Sequence, residues 1–237
     1  MRLVASALPR LGPVTTSSSA ASAPAPANAL AVSERSALAD LMAQVGPEAP
    51  TLCGRWTTLD LAAHLVVRAT RPDAAAGLVV GPLASYTEKV MAQVARRPWS
   101  ELVTAVRTGP PRWSLVSFPA LDRATNTIEY FVHHEDVRRA SGSWEPRVLD
   151  DGAVADLWAE ATRAAGYLLR RSPVGVVFAP TDGPRAGHER LVRKGSRLVT
   201  LSGPVGEIVL AEYGRVTRGL EFLGADEDVA AFRAFPR

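Results

Sequence analysis

Residues 128–136, Ile-Glu-Tyr-Phe-Val-His-His-Glu-Asp, constrain this chain more than any other stretch: two histidines and three carboxylates fall within nine residues, beside apolar side chains. A helical projection sorts them. Glu129 and His133 stand at i and i+4 on one face, and Asp136 continues that stripe three residues on. His134 and Glu135 turn away, while Ile128, Phe131 and Val132 supply apolar flanks. A Glu and a His one turn apart on a partly apolar face is how a helical bundle offers two ligands to a metal ion. A third ligand must come from elsewhere, and the chain has four histidines. His64, in Asp-Leu-Ala-Ala-His-Leu-Val-Val at 60–67, lies on another strongly apolar helical segment. The candidate metal ligands are therefore His64, Glu129 and His133.

The segments around these residues read as helices divided by breakers. Ser33 is placed to cap a helix from about residue 34 to 45, with Leu38, Leu41 and Met42 on one face and Gly46-Pro47 as its stop. Thr57-x-x-Asp60 has the spacing of a reciprocal cap and opens the helix of His64, which ends before Pro72. Residues 73–96 read as helical with a break at Gly81-Pro82, Pro98 restarts a helix to about Arg107, and Thr108-Gly109-Pro110-Pro111 ends it. The helix bearing 128–136 then runs from about 121 to 140. This predicts an up-and-down bundle of about four main helices over residues 31–145. Residues 146–237 change character. A helix over 150–171 precedes short β-branched runs at 174–178, 197–201 and 220–223, with further helices over 204–213 and 226–235, which predicts a small α/β domain. The fold class is α+β. Residues 1–30 are rich in Ser, Ala, Thr and Pro, and Pro9, Arg10 and Pro13 interrupt any apolar signal core, so they read as a disordered extension.

Charge and cysteine content narrow the function. The formal charge of +3 comes from 27 basic and 24 acidic residues, with the arginines scattered among acids, which argues against nucleic acid as a partner. No apolar run approaches the ~18 residues that span a bilayer. Cys53 is the single cysteine, which excludes an internal disulfide and a Cys-rich zinc knuckle and suits the cytoplasm. With no histidine near it in sequence, Cys53 reads as an ordinary buried thiol. Asp60 is either a helix cap or a partner behind the ligand His64. Asp136 either pairs with Arg139 or stands behind the ligand His133. His134 is either on the surface or at the mouth of a cleft. Arg68 and Arg71 follow His64 and are either a solvated helix end or the groups that hold the carboxylates of a thiol cofactor or acidic substrate.

Residues 56–65, Trp-Thr-Thr-Leu-Asp-Leu-Ala-Ala-His-Leu, and the pattern Glu129-Tyr130-Phe131-Val132-His133-x-x-Asp136 resemble the two signature stretches of mycothiol-dependent maleylpyruvate isomerase-like proteins, in particular an actinobacterial branch described as metal-binding. The likeness spans residues 31–237. It implies a DinB-like four-helix bundle in which a histidine of the second helix and a Glu and a His of the last one hold a divalent ion, usually zinc. Those positions fall on His64, Glu129 and His133. Gly203-Pro204, an apolar helix and Gly214-Arg215 match the family's small sterol-carrier-like α/β domain. The resemblance implies that the metal activates the thiol of mycothiol for attack on a small electrophile, in an isomerase or transferase reaction. The competing expectation is a non-catalytic metal- or ligand-binding module.

Overall fold

In the computed structural model, which describes residues 29–75, 81–111 and 119–236, the cap at Thr57 forms as its spacing requires. The Thr57 side chain accepts from the Asp60 amide, and the Asp60 carboxylate accepts from the Thr57 amide at 2.9 Å. Helix α2 follows over Thr58–Thr70 and ends before Pro72, where the proline ring would clash with the preceding turn. Helix α1 spans Ala29–Val45, so it begins four residues before the expected cap at Ser33. Ser33 lies inside it and donates its hydroxyl to the Leu30 carbonyl at 3.0 Å. Leu30 and Ala31 are buried, and that burial favours the early start over a cap at Ser33. The expectation of a disordered extension otherwise concerns residues 1–28, which lie outside the described residues.

A short helix α3 (Pro72–Ala75), a 3₁₀ turn at Gly81–Leu83, α4 (Ala84–Val94), α5 (Trp99–Thr108) and the long α6 (Pro119–Ala140) complete the helical half. Leu38 and Met42 of α1, Leu61 and Leu65 of α2, Leu102 and Val106 of α5, and Tyr130 and Val137 of α6 share one apolar core.

The remaining elements are α7 (Asp151–Leu168), β1 (Gly175–Pro180), β2 (Arg190–Arg193), β3 (Leu198–Gly203), α8 (Val205–Glu212), β4 (Glu221–Leu223) and α9 (Asp226–Ala234). They build a four-stranded sheet ordered β2-β1-β3-β4, with β1 and β3 parallel and each outer strand antiparallel to its neighbour. Strand β2 escapes the sequence reading because Arg-Leu-Val-Arg has only one exposed turn of alternation, and an edge strand can leave both Arg190 and Leu191 in water. Helix α8 is buried along its whole length. Its Ile208 and Leu210 join Leu157, Trp158, Phe178 and Leu201 in a second core, to which α6 contributes Ile128, Phe131 and Val132.

Helix α6 thus belongs to both cores. Gly206 permits the close approach of α8 to it, since a methyl group there would lie 3.1 Å from the Phe131 ring. The approach brings the turn after α8, with Tyr213 and Arg215, alongside the face of α6 that carries Glu129, His133 and Asp136. No described helix is long and apolar enough to cross a membrane.

Candidate metal centre

Helix α2 supplies His64, and α6 supplies Glu129 and His133 one turn apart. One oxygen organises the group: Glu129 Oε1 lies 3.1 Å from His64 Nε2 and 3.3 Å from His133 Nε2. Each of the three residues offers one ligand atom, all within 4.8 Å of one another. The imidazoles meet edge to face with centroids 5.4 Å apart, and the Trp56 ring lies 5.1 Å from that of His64.

The two histidines are supported differently. His133 turns Nδ1 to Asp136 Oδ2 at 3.0 Å. Asp136 is fully buried and is gripped by Arg215, whose Nε and Nη2 donate at 2.9 and 2.8 Å. The Cys53 thiol also donates to Asp136 Oδ2, at 3.1 Å, and stands 3.5 Å from His133 Nδ1. A carboxylate behind the imidazole is the arrangement that aims the other ring nitrogen at a metal. His64 Nδ1, by contrast, is buried without a hydrogen-bond partner among the described residues. The ring is placed by apolar packing and by Trp56.

Electrostatics separates the three groups. Burial pushes the pKa of His64 down and outweighs the pull of Glu129, which favours a neutral imidazole. Facing the carboxylate, Nε2 carries the proton and Nδ1 the lone pair, so Nε2 becomes a donor to a metal when that proton moves to Nδ1 or leaves. Burial works against ionisation of Glu129, yet the Arg68 charge and the hydrogen bonds from His133 and His64 hold it well below the ordinary carboxylate range. Burial also opposes charge on His133, but hydrogen bonds to Asp136, Cys53 and Glu129 raise it well above the ordinary imidazole range. The proton of His133 therefore occupies the place a cation would take. Two imidazole nitrogens and one carboxylate oxygen suit zinc. Cys53, His133 and Asp136 form a second group of possible donors. Its Asp136 already carries a two-point guanidinium, whose charge opposes a cation, whereas the Arg68 guanidinium lies 3.4 Å from Glu129 Oε1.

The other residues marked in the sequence have definite places. Arg68 also reaches the Asn126 side-chain oxygen. Arg71 donates to both oxygens of Asp73, at 2.9 and 2.7 Å, and Tyr86 donates to the same carboxylate at 2.6 Å, a clip on the exposed flank of α3 and α4. The Asp60 carboxylate is spent on the cap. Asp136 pairs with Arg215 and not with Arg139, which is held by Glu135 and Glu207. His134 is neither on the surface nor at a cleft mouth: it is buried against Glu34, with Nδ1 2.8 Å from the carboxylate. Reading Cys53 as a thiol remote from histidine also fails, because the loop before α2 folds back onto α6. Trp56, Cys53 and Arg215 are contributors to the centre that the sequence did not assign. The Gly214-Arg215 pair was the available signal for the last, without a role attached. Tyr213 stands near enough to feel Glu129; burial and the charges of Glu212 and Glu129 raise its hydroxyl well above the ordinary phenol range.

No protein-family model matches this sequence, and no curated protein does. Among solved structures, the crystal structure of a mycothiol-dependent maleylpyruvate isomerase superposes with a TM-score of 0.56 at 15% identity, covering 83% of this chain and 90% of that one. A histidine-to-alanine mutant of such an isomerase gives 0.57 at 14% identity, covering 83% and 91%. At this identity the likeness is one of fold: the chain has the mixed α+β fold of mycothiol-dependent maleylpyruvate isomerase.

Proposed function

We propose that this chain is a divalent-metal protein with His64, Glu129 and His133 as ligands, and that it works with a small thiol of the mycothiol type on a small electrophilic substrate, as an isomerase or transferase. The observation that carries the reading is the convergence of two Nε2 atoms and one carboxylate oxygen from two helices, on a fold shared with enzymes named for their dependence on mycothiol. We read residues 31–145 as a DinB-like metal-binding bundle and 146–237 as a sterol-carrier-like domain, in a cytoplasmic protein.

Zinc is the favoured ion for such a donor set, and when bound it lowers the pKa of a thiol or water held at its remaining position. The chain's own residues prepare that site. His64 is a neutral ring whose Nε2 is turned to Glu129, and it becomes a ligand by moving that proton to its unpartnered Nδ1. Asp136, itself fixed by Arg215, holds the Nδ1 proton of His133 so that Nε2 faces Glu129. Arg68 lies beside Glu129 and is the cation placed to meet an acidic group of the cofactor or substrate; Arg71 can join it only by releasing Asp73.

Cobalt-substituted protein tests the reading. Titration with mycothiol should produce a sulfur-to-metal charge-transfer band, weaker with glutathione or cysteine, and absent in Glu129→Ala. A spectrum that ignores mycothiol at millimolar levels would leave the non-catalytic metal-binding module as the better account. An equal band with every small thiol would remove the cofactor assignment while keeping an open metal position.

A further inference from the structure

Away from the metal ligands, α7 and the chain between β1 and β2 border an open hollow of about 450 Å³ lined by Trp158, Ala159, Thr162, Arg163, Arg185 and Arg190. The sheet register builds it. Arg190 opens β2 opposite Phe178 of β1, and the Phe178 ring packs edge-on against Trp158 with centroids 6.3 Å apart. This brings Arg190 to α7. Arg185 comes from the 3₁₀ turn Gly183–Arg185, which sits directly on α7: Gly183 has φ +64°, and a methyl group there would fall 2.3 Å from Val154 Cγ1. Only glycine allows both that backbone and that approach. Arg163 completes the ring from α7 and is paired with Glu160 beneath it.

Three guanidiniums thus face one hollow, and Arg163 is the one of them that has an ion pair with a described residue, Glu160. Among the described residues the side chains of Arg185 and Arg190 make no hydrogen bond or ion pair, and both are exposed. The segment 183–197 carries five Arg and Lys residues and one acid, Glu189; Arg197 is paired with Asp228, and the remaining cations add to the field at the hollow. The lining has no His, Cys or carboxylate, so nothing there recruits a cation. Guanidiniums present paired donors that match carboxylate and phosphate oxygens two at a time, and Trp158 with Ala159 gives the hollow an apolar wall.

We propose that this cavity is a second ligand site, separate from the metal centre, that takes a small molecule bearing a doubly charged oxyanion, either a phosphate monoester or a dicarboxylate. The proposal does not depend on the metal reading. The test is calorimetric titration of the full chain with inorganic phosphate and, separately, with succinate, at constant ionic strength and with chloride as the reference. At least one dianion should bind, with affinity reduced tenfold or more in the Arg185→Gln/Arg190→Gln double variant at unchanged melting temperature. Arg68→Gln should leave the binding as it is, which separates this site from the metal centre. Tighter binding of phosphate assigns a phosphate ester, and tighter binding of succinate a dicarboxylate. Binding no stronger than that of chloride, or equal binding by the double variant, overturns the proposal.

Discussion

Helix α6 carries two clusters of buried charge on different flanks, and they differ in the cations that answer the carboxylates. On one flank Glu129 and Asp136 face the imidazoles of His64 and His133, with Arg68 and Arg215 behind the carboxylates. On the other, Glu135 receives Arg138, Arg139 and Arg147; Arg147 spans to Glu34 with two contacts of 3.0 Å; and Arg139 continues to Glu207 of α8. Trp144 is sandwiched there between Arg139 and Arg218, at 4.1 and 4.5 Å. A guanidinium keeps its proton and saturates its acceptors, so the second cluster, where His134 meets Glu34 without a second imidazole beside it, fastens α1, α6, residues 144–147 and α8 together. An imidazole can surrender its proton and become a donor to a metal, so the first cluster can exchange a proton for an ion. The kind of cation, more than the number of charges, makes a clamp of one cluster and a site of the other.

The sharpest way to break this contrast is to remove a ligand. His64→Ala, Glu129→Ala and His133→Ala should each lose most of the bound divalent ion by elemental analysis; three unchanged values would end the ligand assignment. The clamp should answer in stability instead. Arg139→Ala leaves Glu135 and Glu207 short of a buried partner and should cost about 3–5 kcal/mol by chemical denaturation, with metal content per folded molecule retained. A loss of ion in that variant would show that the two clusters are one.

Asp136→Asn weakens the support behind His133 without touching a ligand and should lower metal affinity about 10- to 100-fold. The neighbouring His134→Ala should keep the ion, because His134 serves Glu34. If the reverse is found, the face of α6 that carries the ligands is displaced by one residue.

The smallest expected effect is a proton linkage. Because the pKa of His133 is raised, the metal-free protein keeps this proton at pH values above the ordinary ~6.5. Metal binding must expel it, so apparent affinity should rise with pH by up to about tenfold per unit for one proton, continuing past about 6.5 and levelling off only above the raised pKa. Competition with a chelator across that range reads the slope. A flat profile would mean that His133 enters the site already neutral.

Much of the helical half was legible because its information is local. The Thr57–Asp60 cap, the stops at Gly46 and Pro72, and the shared face of Glu129, His133 and Asp136 all follow from bonds and periods within one or two turns. Strand β2 was missed for the converse reason: an exposed edge strand is specified by its partner β1 more than by its own pattern.

By itself, then, the sequence determined most of the helices, the α+β class, and which side chains of α6 share a face, since these depend on helical period and on breakers. Only the tertiary structure decided who meets them. Local spacing offers Arg139 to Asp136, but packing of α8 delivers Arg215, 79 residues away, and draws Arg139 to Glu207. Cys53 reaches His133 across 80 residues, and Glu34 reaches His134 across 100. Such contacts depend on how two apolar cores close around one helix, and no periodicity in the chain encodes which charged groups that closure will bring together.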